Sequence, residues 1–310
     1  MSGPAPWASI DIGSNSILLL IAERDGAGGW RRLHEEAHIT RISEGLDRGG
    51  CLQPAAVERT AAVLAAYRST CSRLHVAKVL ATGTAPFRRA SNGPEVAAAL
   101  SEVLGAPLDI VSGEEEALLS LLAARTVFPS VASLRVVDIG GASTELALVR
   151  GEGEAPLVVS IDLGSVRLHE RFGARDSLGG DDVAALRALV RDALAAPDLR
   201  PILDAQDVPL VGIAGTVTTL AALDQRMEVY DADAIQGYPL SAAALDDAVA
   251  LLTRLSVAER AALPGVDPKR ADVIAAGALL LQEIARACGV ERVHVSDRGV
   301  RWGRLLRDGR

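Results

Sequence analysis

A chain of 310 residues, 49% apolar and 23% charged with turn residues spread throughout, is an ordinary globular protein, and at about 150 residues per domain it is long enough for two. Its net charge of −8 argues against generic nucleic-acid binding, which needs a broad positive field, so no nucleic-acid partner is expected. Cys51, Cys71 and Cys288 form no CxxC pair, which fits a reducing cytosol, and the apolar run 17–22 is too short for a membrane span, so a cytoplasmic location without membrane contact is expected.

Aromatics make up only 3% of the chain, so the core must be built from Ala, Leu, Val and Ile, which suits an α/β protein. In chain order, 8–12 and 17–22 read as buried strands joined by a Gly-Ser-Asn turn, a β-hairpin. Residues 30–40 follow a Gly-Ala-Gly-Gly turn and read as a strand. Helical periodicity over 53–74 leads to a strand at 77–81, a helix at 94–104 and a short strand at 108–111. Ser112, with Glu115 at capping-box spacing, starts the apolar helix 117–124, which crosses toward the second half. Pro129 and small polar residues break the periodicity at 125–133, which sets a domain of 1–124 apart from one of 125–310.

The second domain opens as the first does. Strands at 135–139 and 145–149 surround Gly140, Gly141 and Ser143, and Asp138 lies 127 residues after Asp11, so duplication is the economical explanation. A strand at 157–161, a helix at 181–195, a strand at 209–213 and a helix at 216–223 follow, then helix, strand and helix at 270–288, 292–295 and 300–306. The last helix, about 299–310, is a candidate to pack back on the first domain.

Each hairpin ends a strand with an aspartate, Asp11 or Asp138, just before a glycine turn. Glycine lets main-chain N–H groups approach phosphate oxygens without an intervening side chain, and Ser14, Asn15, Ser16, Ser143 and Thr144 add donors. A tight structural turn explains either hairpin alone; two copies favour a ligand. A third loop, 212–219, follows a buried strand and opens a helix, where amides and hydroxyls bind anions. Glu114, Glu115 and Glu116 begin a helix, and dipole stabilisation accounts for Glu114. Glu116 and Glu145 are candidates to activate water, and Asp11, Asp138 and Glu145 to hold magnesium. Arg88 is a candidate phosphate clamp, whereas Arg298, Arg301, Arg304 and Arg307 read as a solvated helix face.

His34 to His38 spell HExxH, but that zinc-protease pattern works on a helix and this segment reads as a strand. No GxxxxGK[ST], GxSxG or strand-linked GxGxxG is present, which removes the signatures of Walker-type ATPases, serine hydrolases and dinucleotide enzymes.

Taken together, DIGSNS at 11–16, ITRISEGLD at 39–47, TAPFRRASN at 84–92, SGEEEA at 112–117, DIGGASTEL at 138–146, SIDLGSVRL at 160–168, GIAGTVTTLA at 212–221, LPGVDPKRADVIAAG at 263–277 and SDRGVRWG at 296–303 resemble the exopolyphosphatase and guanosine pentaphosphate phosphohydrolase family, Ppx/GppA. The resemblance implies an α/β fold of two ribonuclease-H-like domains of the actin-like ATPase superfamily, with an interdomain cleft. It implies Glu116 as catalytic base with Glu145 assisting and Glu115 as the fallback. Magnesium or another divalent cation would sit on Asp138, Asp11 and Glu145. Phosphate would be held by Gly13, Ser14, Asn15, Ser16, Arg88, Gly140, Gly141, Ser143, Thr144, Gly215 and Thr216. The implied substrate is inorganic polyphosphate, with guanosine pentaphosphate as competitor, and a homodimer is the candidate assembly. A nucleotide- or phosphate-binding actin-like module without turnover and a sugar kinase are the alternatives. Ala142 and Ala214 stand where the family pattern has glycine, each adding a methyl group near the phosphate path. The chain also stops where longer members add a helical domain, which implies limited processivity.

Overall fold

The computed structural model describes residues 5–26, 28–151, 153–172 and 175–309. They divide into two compact units, one formed by the chain up to Leu122 together with Val300 onward, the other by Ala123–Gly299. The first division falls inside helix Gly113–Val127, whose backbone runs on to Val127, just before Pro129.

The first unit holds β1 (Trp7–Ile12), β2 (Ser16–Arg24), β3 (Trp30–Ile39), β4 (Lys78–Gly83) and β5 (Leu108–Ile110) in the order β3-β2-β1-β4-β5. β1, β2 and β3 form an antiparallel meander, β4 is parallel to β1 and β5 to β4. The period of two sends Ala8, Ile10 and Ile12 to one face, where they pack with Ile17, Leu19 and Ile21 and with Leu64, Tyr67 and Leu100 of helices Pro54–Arg73 and Gly93–Leu104. Helix Val300–Asp308 packs on β1, β2 and β4.

That last helix corrects the reading of its arginines as a solvated face. Arg301 and Arg304 are only 6% and 7% exposed. Arg301 pairs with Glu35, Arg304 with Asp109 and Asp308, and the half-buried Arg307 with Glu115 at 2.5 Å. Arg298 precedes the helix and donates to Thr126 Oγ1 at 3.2 Å. Apart from Asp308, one turn beyond Arg304, these carboxylates are remote in sequence, so spacing alone could not distinguish a wet arginine face from a paired one.

The second unit repeats the plan. β6 (Ser133–Ile139), β7 (Thr144–Arg150), β8 (Leu157–Ile161), β9 (Leu210–Ile213), β10 (Pro239–Ser241) and β11 (Arg292–Val295) lie in the order β10-β11-β9-β6-β7-β8. β6 to β8 are an antiparallel meander, β9 runs parallel to β6 and β11 to β9, and β10 adds an antiparallel edge. Val137, Ile139, Leu146 and Leu148 share one core cluster with helix Ile274–Ala287, which buries every residue from Ile274 to Ala285 and is apolar nearly all round. Among the described residues no helix is long and apolar enough to cross a membrane.

Candidate active site

In both units the candidate residues sit at the C-terminal ends of adjacent parallel strands, where open α/β sheets collect ligands. The two hairpins close identically: Gly13 N–H donates to Ser16 O at 2.9 Å and Gly140 N–H to Ser143 O at 3.0 Å. Their carbonyls are then drawn away by a second segment. Ser14 O accepts from Ser43 N–H at 3.2 Å and Ser43 Oγ at 3.1 Å, and Asn15 O from the N–H groups of Thr40 and Arg41 at 3.1 and 3.0 Å. In the second hairpin, Gly140 O accepts from Ser165 N–H at 3.0 Å, and Gly141 O from Val166 and Arg167 at 2.9 and 3.0 Å. The N–H groups of Ser14, Asn15, Gly141 and Ala142 have no acceptor among the described residues, which leaves each turn a candidate cradle with donors suited to an anion. The second cradle depends on close approach: a Cβ on Gly164 would lie 2.4 Å from Gly141 C and O.

The side chains around the cradles differ. Asp138 and Glu145 are directly opposed across the β6–β7 ladder and are 6% and 2% exposed, with Ser160 Oγ donating to Glu145 Oε1 at 2.8 Å. Across from Asp11 stands Leu18. Ser14, Asn15 and Ser143 are buried, and Asn15 Oδ1 has no hydrogen-bond partner among the described residues. Thr144 Oγ1 donates to Leu163 O at 2.6 Å, which commits its proton to bracing the loop.

The remaining first-unit candidates converge on the same edge as Asp11. Thr84, following β4, donates through both N–H and Oγ1 to Ile12 O at 3.3 Å, and helix Ala85–Arg89 then carries Arg88. Arg88 Nη1 donates to Val111 O and to Glu116 Oε2, both at 2.8 Å, and Glu116 is 8% exposed. Ser112 Oγ accepts from Glu115 N–H at 3.1 Å, the expected cap, while Glu114 is exposed and Glu115 turns to Arg307. The three adjacent glutamates thus point to three different environments.

The third loop adjoins the second hairpin, because Ile213 of β9 is registered beside Asp138 of β6. Ala214 adopts φ 71°, a left-handed backbone that favours glycine, so its methyl group costs about 1–2 kcal/mol there. Gly215 lies against Arg270: a Cβ on it would be 1.7 Å from Nη1. Thr216 is 5% exposed and packs against Gly277. Arg270 had no assigned role in the sequence reading, since neither periodicity nor spacing links it to Gly215; only the fold brings them together.

His34 and His38 lie on β3 with Glu36 between them, at Nε2–Oε distances of 2.5 and 3.3 Å, while Glu35 alternates to pair with Arg301, so the helix-borne protease arrangement is absent. Among the described residues no group of three or more His, Cys, Asp or Glu side chains forms a ready metal cage. The Asp138–Glu145 pair nevertheless fits a hard cation, since like charges directly opposed on neighbouring strands repel and oxygen donors suit magnesium.

The sequence profile of the Ppx/GppA phosphatase family matches residues 20–309. Exopolyphosphatase 2 of Mycobacterium tuberculosis is 38% identical over 313 residues, which cover 96% of this chain and 97% of that protein. Among solved structures, the Aquifex aeolicus member of the Ppx/GppA family is 28% identical with a TM-score of 0.81, covering 98% of this chain and 97% of that one. An exopolyphosphatase from Cytophaga hutchinsonii, 24% identical with a TM-score of 0.88 and 98% coverage of both chains, shares the fold. The α/β architecture is the actin-like one of these structures, and with a profile match from residue 20 to residue 309 the chain belongs to the Ppx/GppA phosphatase family.

Proposed function

We propose that this chain is an exopolyphosphatase that hydrolyses the terminal phosphate of inorganic polyphosphate and releases orthophosphate. The observation that carries this reading is the end-to-end relationship to exopolyphosphatase 2 at 38% identity. The paired amide cradles support it, because a phosphate chain offers anionic oxygens at regular intervals and little else to grip. Two ribonuclease-H-like domains with the substrate in a cleft are part of the proposal, supported by the strand order common to the two sheets and by the family resemblance.

Local geometry and the family resemblance support the following roles. The free N–H groups at Gly13–Ser16 and Gly140–Ser143 bind phosphate oxygens, with Gly215 and Thr216 adding a helix N-terminus and Thr144 holding the second loop in shape. Arg88 engages a phosphate with donors that otherwise hold Glu116, and this exchange releases the carboxylate. Glu116 then accepts a proton from water as the water oxygen bonds to the terminal phosphorus. The bridging P–O bond breaks in line, and the shortened chain keeps the bond's electron pair. Glu145, oriented by Ser160, positions the water. Asp138, Glu145 and Asp11 are the residues that would hold a divalent cation, which supplies charge neutralisation to the reacting phosphates when bound.

The test is phosphate release from polyphosphates of several lengths, guanosine pentaphosphate and ATP, with and without magnesium, for the wild type and Glu116→Gln. Polyphosphate turnover that falls about 100-fold or more in Glu116→Gln, with unchanged circular dichroism, is the expected result. Preference for guanosine pentaphosphate would move the substrate assignment, and a wild type that releases no phosphate from any of them would leave a binding module.

A further inference from the structure

Glu115, next to the base, is bound by the far end of the chain, and three contacts within the first unit bear on it. Arg307 Nη1 meets Glu115 Oε1 at 2.5 Å. Gly303, one turn earlier on helix Val300–Asp308, lies so close to helix Gly113–Val127 that a Cβ on it would be 2.0 Å from Leu119 O. Arg304, between them, pairs with Asp109 at the end of β5, just before the segment leading into the same helix. The C-terminal helix therefore grips the strand before Glu116, the residue beside it and the turn after it.

We infer that Arg307 and Gly303 are positioning residues for hydrolysis: through Glu115 and Leu119 they fix the first turn of helix Gly113–Val127, and so the direction in which Glu116 presents its carboxylate. This rests on the assignment of Glu116 as base. The physical reason is leverage. The N–H groups in the first turn of a helix lack intrahelical partners, so that turn frays unless caps or neighbours hold it, and a carboxylate there is only as well placed as the turn. Ser112 Oγ supplies one restraint, on Glu115 N–H. Arg307 supplies a second on the same residue, and the Gly303 contact prevents the helix from sliding along its neighbour. A displacement of about 1 Å at a reacting group is enough to cost up to about 100-fold in rate.

A double-mutant cycle on polyphosphate hydrolysis tests this, using Arg307→Ala, Glu115→Ala, the double variant and Arg307→Lys. Arg307→Ala and Glu115→Ala are each expected to lower kcat about 3- to 10-fold with KM changed less than 2-fold, the double variant to lose no more than either alone, and Arg307→Lys to recover at least half of kcat. Gly303→Ala is expected to lower kcat at least as far, and thermal melting of each variant separates this from unfolding. Wild-type kcat in Arg307→Ala overturns the inference. So does an Arg307→Ala loss that persists in full on the Glu115→Ala background, since Arg307 would then act on the polyanion directly, or a loss confined to KM or to melting temperature. If Glu116→Gln stays active, the assignment of the base fails instead, whatever the cycle gives.

Discussion

The two hairpin cradles share a backbone and differ in what surrounds it. Both close through a glycine N–H and a serine carbonyl, and both have two further carbonyls captured by a later segment. The first is braced by residues 40–43 and places Leu18 across from Asp11; the second is braced by the start of helix Ser165–Arg171 and places Glu145 across from Asp138. A single scaffold thus carries an aspartate opposite a leucine in the first turn and an opposed carboxylate pair in the second. In the first unit the second carboxylate comes from another element, Glu116, held by Arg88. Where a duplicated motif keeps its hydrogen bonds but changes its cross-strand pair, the division of labour lies in the side chains.

Gly164→Ala should produce the largest break in this comparison. Its methyl group would press into Gly141, and we expect polyphosphate turnover to fall about 100-fold with a stability loss of about 1–3 kcal/mol, read by phosphate release and urea unfolding. Near-normal turnover would mean that the close brace is dispensable in the second cradle. Ser43→Ala probes the first brace, where one of two donors to Ser14 O is lost. A rise of about 5-fold in KM with little change in kcat is expected from about 1 kcal/mol of weakened positioning.

Thr144→Val separates bracing from binding. Since the Thr144 hydroxyl is spent on Leu163 O, stability should fall by about 1 kcal/mol in denaturant titration while KM changes less than 2-fold; a large KM effect would make it a phosphate donor after all. Ala214→Gly should go the other way and gain about 1 kcal/mol, because the left-handed backbone at that position costs glycine nothing sterically. An unchanged midpoint would place the relief within the entropy that glycine loses on folding.

The cysteines compare the units by a smaller effect. Burial pushes the thiols of Cys71 in the first unit and Cys288 in the second up to about 11, against an ordinary 9.0. Both stay protonated at pH 8, so a disulfide reagent should titrate the half-buried Cys51 first. Between pH 9 and 11 the unfolded chain binds fewer protons than the folded one, so stability should fall as pH rises through that window. Equal reaction of all three thiols at pH 8 in the folded protein would contradict this burial.

Much of the local structure around the candidate residues was legible in the sequence. The strand–turn–strand signature marked both hairpins, its repetition singled them out from ordinary tight turns, and the Ser112 cap located the helix that carries Glu116. Arg270 was not legible, nor was the inward face of the last helix. Arg301 and Arg304 have a spacing that fits either solvent or a partner, and the partner is chosen by the sheet they land on. The division into units lies inside a helix, Gly113–Val127, where the local pattern runs on without a break.

What the sequence by itself determined is the set of local elements and the repeated turn, because alternation, helical period and glycine placement act over a few residues at a time. Only the tertiary structure decided which carboxylates stand together and which arginines hold them. Asp138 meets Glu145 through strand register, Glu116 meets Arg88 through two parallel strand ends, and Glu115 meets Arg307 because the chain returns to its first sheet. Those pairings depend on contacts between segments that share no local signal, and it is packing that brings them within a hydrogen bond's reach.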